Sequence, residues 1–148
     1  MSDMTIKKLS SLTEIQVEDV LSLMRELTSN VTVTPEMLLD AVASPTSQFF
    51  AIVEDNGYIA GCATLCVYDS PTGKKASLED VVVSSRSRGQ GLGILLIQYV
   101  IEFAKKELQN VDIYLTSSPQ RVAANKLYQK MGFKKRETNV YEMKINEL

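Results

Sequence analysis

The stretch that most constrains this chain is Val83-Ser84-Ser85-Arg86-Ser87-Arg88-Gly89-Gln90-Gly91-Leu92-Gly93-Ile94-Leu95-Leu96. An apolar run, Leu78 to Val83, enters a loop rich in glycine and arginine, and that loop opens directly onto a helical pattern. A strand that hands over to a helix in this way leaves backbone N–H groups unpaired at the positive end of the helix dipole. Phosphate is favoured at such a junction, and Arg86 and Arg88 add fixed charge able to pair bidentately with its oxygens. The sequence therefore predicts an α/β fold that binds a phosphorylated cofactor at this turn.

The remaining pattern supplies the scaffold. Met4 to Leu9 alternates as a first strand. Thr13 to Thr28 reads as a helix with Val17, Val20, Leu21, Met24 and Leu27 on one stripe, and Thr13 with Gln16 forms a capping box. Thr34-Pro35 opens a second helix, which Ser44-Pro45 ends. Phe49 to Val53, Asn56-Gly57, and Tyr58 to Tyr68 form a hairpin signal, and Ser70 to Gly73 turns into the strand that ends at Val83. The helix after the glycine loop carries Leu92, Leu95, Leu96, Tyr99, Val100 and Phe103 at helical spacing, and Val111 to Leu115 is a short strand. A fourth helix starts at Ser118 or Pro119 and closes at Gly132. Phe133 to Arg136 and Val140 to Ile145 read as two final strands. The expectation is a single domain over residues 1–148, its mixed, mostly antiparallel sheet of about seven strands flanked by four helices.

Composition narrows the chemistry. A net charge of −2 argues against general nucleic-acid binding, which needs a basic face. No apolar run is long enough to span a bilayer and Met1 to Ser10 lacks the core of a signal peptide, so the expectation is no membrane and a cytoplasmic location. The chain has no histidine, which excludes Ser-His-Asp and Cys-His catalysis and removes the commonest metal ligand. No metal site is expected. A general base must then be a carboxylate, a tyrosine, a cysteine, a lysine, the N-terminal amine or water. Cys62 and Cys66 lie four apart on a strand, roughly 13 Å, too far for a disulfide, and read as buried free thiols.

Three glycine-loop patterns compete at the turn. A Walker loop requires Gly-Lys before Ser or Thr, and Gly93-Ile94 does not match it. A dinucleotide fingerprint starts at Gly89 and Gly91, but Ile94 occupies its third glycine position. Arg-x-x-Gly-x-Gly is matched in full by Arg88, Gly91 and Gly93. This resembles the pyrophosphate loop of the GNAT superfamily of acyl-CoA-dependent N-acyltransferases. A second signature follows, Asn125-Lys-Leu-Tyr128 and then Gly132-Phe133, which looks like the family's later helix. With Leu78-Glu79-Asp80-Val81-Val82-Val83 before the loop, the resemblance covers about residues 49 to 145.

The resemblance implies acetyl transfer from acetyl-CoA to a primary amine of a small molecule or peptide, directly within a ternary complex. It places the cofactor's diphosphate on the backbone of residues 88 to 93, where Gly91 and Gly93 permit close approach, with Gly89, Leu92, Arg86 and Arg88 alongside. It pairs the pantetheine arm with Val81, Val82 and Val83, like an added strand between a splayed parallel pair. It makes Glu79 the base that takes the amine proton, directly or through water, Tyr128 the donor to the departing thiolate, and Asn125 a cofactor contact on Tyr128's helix face. Glu79 and Asp80 point to opposite sheet faces unless a bulge intervenes. Arg121 is either a contact for the nucleotide phosphate or a solvent residue, and Tyr68 and Tyr141 stand at strand ends near the expected acceptor cleft. The Leu-Glu-Asp-Val-Val-Val segment also looks like glucosamine-6-phosphate N-acetyltransferase, and a non-catalytic acyl-CoA-binding module is the alternative of another class. Many relatives pair, so the resemblance allows a homodimer.

Overall fold

The computed structural model describes residues 3–147 and divides after Leu115 into two compact units. The first holds a five-stranded sheet in the order β1 (Met4–Leu9), β2 (Ser47–Glu54), β3 (Ile59–Ser70), β4 (Gly73–Val83) and β5 (Asp112–Tyr114). Neighbours from β1 to β4 are antiparallel, and β4 and β5 are parallel. A parallel pair needs a crossover, which α3 (Leu92–Phe103) supplies, prolonged by one π-helical turn over Ala104–Leu108.

Helices α1 (Glu14–Leu27) and α2 (Pro35–Ala43) start where the local chemistry dictates. Thr13 Oγ1 accepts the Gln16 N–H at 3.1 Å while Gln16 Oε1 accepts the Thr13 N–H at 3.1 Å, completing the capping box. Thr34 caps Met37 at 3.2 Å ahead of Pro35, whose missing N–H costs nothing in a first turn. Both helices pack Val20, Leu21, Leu23, Leu38 and Val42 against Phe49, Ala51, Cys62 and Val82 of the sheet.

The opposite face belongs to α3. Phe50 is fully buried and meets the ring edges of Tyr99 and Phe103 at 5.9 and 5.2 Å. With helices on both faces, β2 reads as the unbroken apolar run Phe49–Val53 rather than an alternation. The buried arc of α3 is Leu92, Leu96, Ile97 and Val100, whereas Leu95 of the expected stripe is exposed and Tyr99 stands at the edge, partly exposed while touching Phe50. The buried arc also takes in Ile97, which the expected stripe left out, so the sheet meets a face of the helix rotated from that stripe rather than a narrower one.

The second unit contains α4 (Val122–Lys130). It starts later than Ser118 or Pro119 because the Ser118 hydroxyl engages Gln120 Oε1 rather than a helix N–H, and a turn closes from the Arg121 N–H to the Ser118 carbonyl. The expected strands at 133–136 and 140–145 are absent, so the described residues form five strands, not seven. Tyr141, Met143 and Ile145 do alternate, but they are exposed. Alternation sets which face a strand would bury, and it makes a strand only where a ladder partner receives it. No described helix is long and apolar enough to cross a membrane.

Candidate active site

The hairpin between β2 and β3 positions one side of the glycine loop. Gly57, at φ +89°, returns its N–H to the Glu54 carbonyl at 2.8 Å, a turn plus a left-handed residue rather than a two-residue Asn-Gly turn. The register slips between Ile52 and Val53, and the Ile59 N–H donates to Asp19 Oδ2 at 3.2 Å. Tyr58, next in the hairpin, donates its hydroxyl to Ser84 Oγ at 3.2 Å and lies under the Arg86 guanidinium, 3.8 Å from the ring centroid. Glu54 pairs with Arg86 at 3.8 Å.

Strand β4 carries the feature on which the acidic pair depends. Cys62 pairs with Val82 but Thr64 pairs with Glu79, so Asp80 and Val81 together oppose Ala63 in a bulge. Asp80 sits at φ +52°, a left-handed conformation that aspartate tolerates better than most residues. The bulge resolves the alternation of Glu79 and Asp80. Glu79 shares the face of Thr64 and Val82, on the side covered by α1 and α2, and Asp80 is the extra residue. Glu79 is exposed and accepts a 2.5 Å hydrogen bond from Ser77 Oγ. The Asp80 carboxyl is held above the ordinary carboxylate range, first by desolvation and then by the Glu79 charge, although part of the residue reaches solvent.

Pairing of β4 with β5 covers only Lys75–Ser77, so Val81, Val82 and Val83 extend beyond β5 while still laddered to β3 at Val82 and Val83. After a short 3₁₀ turn at Ser85–Ser87, the loop passes Gly89 at φ +82° and reaches Gly91 at φ +72°. Gly91 is the N-cap of α3, and no side chain caps that end. The first N–H to find a helical acceptor is that of Leu95, on the Gly91 carbonyl at 3.2 Å, which leaves those of Leu92, Gly93 and Ile94 outside the helix ladder. A Cβ built at Gly89 or Gly91 would meet nothing within 4 Å, and one at Gly93 would meet only Val83 Cγ2 at 3.9 Å. The space at these glycines is therefore open, and they lead into uncapped donors, a combination that fits an extended phosphorylated cofactor.

Both arginines are partly engaged. Arg88 donates from Nε to the Val83 carbonyl at 3.2 Å and from Nη2 to Glu26 at 3.4 Å, and Arg86 has Glu54 and Tyr58. Sequence reasoning missed Glu26, Glu54 and Tyr58, which meet the loop only through the tertiary fold. Glu26 left one signal: an acid in the last turn of a helix opposes the dipole and calls for an outside partner.

Asn125 and Tyr128 belong to the C-terminal unit. Asn125 Nδ2 donates to the Ser118 carbonyl at 3.0 Å and ties the loop to α4. Beyond Met131, Gly132 at φ +109° lets the Phe133 N–H reach the Tyr128 carbonyl at 3.0 Å and its own N–H reach Gln129 at 3.1 Å, a Schellman motif. The same motif sets the Phe133 ring edge-on to Tyr128 at 6.1 Å, so the Gly-Phe pair orients the half-buried tyrosine. Arg121 is exposed at the N-cap of α4, Tyr68 is exposed on β3, and Tyr141 is exposed and lies on no strand.

Both thiols are held toward the protonated form. Cys62 is fully buried and its thiol is pushed up to about 12 by burial, with the Asp80 charge adding to it. Cys66, half-buried, is raised mainly by desolvation, and its contact with Ser47 only partly opposes this. Neither cysteine forms a disulfide. The N-terminal amine lies outside the described residues.

A family model described as "Acetyltransferase (GNAT) family" matches residues 16–133. N-acetyltransferase family 8 member 2 of Rattus norvegicus is 36% identical over 88 residues, which are 58% of this chain and 38% of that protein. The chain thus spans well under half the length of this curated relative. Among solved structures, glucosamine-6-phosphate N-acetyltransferase from Arabidopsis thaliana superposes with a TM-score of 0.72 at 22% identity, over 95% of this chain and 98% of that one. An aminoglycoside N-acetyltransferase in complex with CoA gives 0.75 at 19% identity, over 98% and 97%. Identities this low establish a shared fold only.

Proposed function

The chain belongs to the GNAT acetyltransferase family, and from that premise we propose that it moves an acetyl group from acetyl-CoA to a primary amine of a small molecule or peptide, directly within a ternary complex. The observation that carries this reading is the uncapped, left-handed Gly91 turn that opens α3 beside the end of β4. The family model spans residues 16–133.

Acetyl-CoA, when bound, supplies an acetyl group activated as a thioester. The chain's part begins with the diphosphate, held by the N–H groups around residues 88 to 93 and by charge from Arg86 and Arg88. Val81, Val82 and Val83, lying beyond the end of β5, hold the pantetheine arm by backbone pairing, and an N–H from this strand end polarises the acetyl carbonyl. Asn125 steadies the arm on the motif it shares with Tyr128. Glu79 takes the proton from the attacking amine, directly or through water, and Tyr128 returns one to the departing sulfur. Asp80 is a second candidate base, because its raised carboxyl pKa brings it closer to neutrality.

Two experiments test the reading. Calorimetry should show coenzyme A binding, with ATP and NAD much weaker; comparable affinity for all three would point to a general nucleotide site. Acetyl-CoA with a panel of primary amines, aminoglycosides and glucosamine 6-phosphate should release free thiol for at least one acceptor. Release with the sugar phosphate alone would select the narrower activity that the Leu78–Val83 segment resembles. Binding without release for any acceptor would identify a non-catalytic acyl-CoA module.

A further inference from the structure

The contacts of Glu26 go beyond what a solvent-facing helix residue requires. Its Oε1 accepts the Ser85 N–H at 2.9 Å and Arg88 Nη2 at 3.4 Å, across 59 and 62 residues of chain. Arg88 in turn donates from Nε to the carbonyl of Val83 at 3.2 Å. One carboxylate on α1 therefore fixes the loop backbone and the leading arginine of the Arg-x-x-Gly-x-Gly pattern, and that arginine fixes the end of β4. Glu26 sits in the last turn of α1, where the helix dipole disfavours negative charge, so its partners rather than its helix account for its place.

We propose that Glu26 is a positioning residue of the cofactor loop: it holds Arg88 bridged to the end of β4, so that the remaining guanidinium donors serve the diphosphate of coenzyme A. This rests on the functional reading above. A guanidinium carries five N–H donors in a fixed fork. Those contacts to Val83 and Glu26 use Nε and Nη2, which leaves further donors on the same rigid group. A lysine at this position would place all its donors on one atom and could not bridge both partners while facing a third.

The test measures affinity for coenzyme A and for pantetheine, which has no phosphate, in wild type, Glu26→Ala, Glu26→Gln and Arg88→Lys, with melting temperatures alongside. Glu26→Ala is expected to weaken coenzyme A about tenfold or more, as for the loss of a charge-assisted hydrogen bond. Its pantetheine affinity should stay within about twofold of wild type on the same reasoning. Glu26→Gln keeps an acceptor for Ser85 and Arg88 and should recover most of the loss. Arg88→Lys, which keeps the charge, should lose coenzyme A affinity as Glu26→Ala does, and it carries the test if the alanine variant does not fold. Wild-type affinity for coenzyme A in Glu26→Ala or Arg88→Lys, or an equal loss for pantetheine, would overturn the positioning role. Failure of the wild type to bind coenzyme A would instead overturn the functional reading itself.

Discussion

Replacing Gly91 by alanine separates the cost of a strained backbone from the cost of a blocked phosphate site. Gly91 sits at φ 72° and ψ 16°, and a Cβ there would meet nothing within 4 Å, so the fold loses no packing. The left-handed conformation costs an L-residue about 1–2 kcal/mol. Reduced freedom of the unfolded chain returns about 0.4–1 kcal/mol where the native conformation can be adopted. The net loss is about 1 kcal/mol, or roughly 2–4 °C in melting temperature for a chain of this size. Gly57 supplies the matched control, since it sits at φ +89° with open space over its Cβ position but caps a hairpin rather than α3. Both variants should lose similar stability by thermal melting. Only Gly91→Ala should also lose coenzyme A affinity by calorimetry, about tenfold or more, because its methyl enters the turn proposed to hold the diphosphate and costs a charge-assisted bond. Equal coenzyme A affinity in the two variants would refute the placement of the diphosphate at this turn.

Tyr128→Phe removes the hydroxyl but keeps the ring that packs on Phe133, so turnover should fall at least tenfold, on the scale of lost proton transfer, with coenzyme A affinity unchanged; unaltered turnover would remove its role. Gly61→Ala should destabilise the fold by about 2 kcal/mol in denaturant titration, as overpacking does, because a Cβ there would lie 2.9 Å from the Val82 carbonyl oxygen. Asp80→Asn tests the raised carboxyl. A carboxyl whose folded pKa lies above its unfolded value binds more protons when folded, so stability falls as pH rises from the ordinary aspartate range through the raised value. The asparagine variant should therefore be more stable than wild type at neutral pH, with the gain disappearing below the ordinary aspartate pKa. A gain that is independent of pH would assign the effect to the left-handed backbone instead. Iodoacetamide at mildly alkaline pH should label Cys66 before Cys62, since Cys62 is the more deeply buried and the more strongly raised thiol.

The helix starts were legible because their chemistry closes within three residues. Thr13 with Gln16, and Thr34 with Pro35, carry their partners beside them in the chain. Gly132-Phe133 was legible as a helix stop for the same reason, and its packing on Tyr128 follows from the Schellman geometry. The glycine loop was legible as a strand-to-helix junction because strand, glycines and helix are contiguous. The partners of its arginines were not, since Glu26 lies 62 residues from Arg88 and Glu54 meets Arg86 only through the β2–β3 hairpin.

The 133–145 segment shows the limit from the other direction. Its alternation of Tyr141, Met143 and Ile145 is a sound strand pattern, yet pattern cannot supply a ladder partner, and the described residues form five strands rather than seven. The orientation of Glu79 and Asp80 likewise waited on a register shift against β3. The amino-acid order by itself therefore determined the caps, the turns and the glycine junction between β4 and α3, all built from interactions between near neighbours. Tertiary structure alone decided which carboxylates hold the arginines, where β4 bulges and which apolar runs find a sheet, because each depends on contacts between segments distant in the chain.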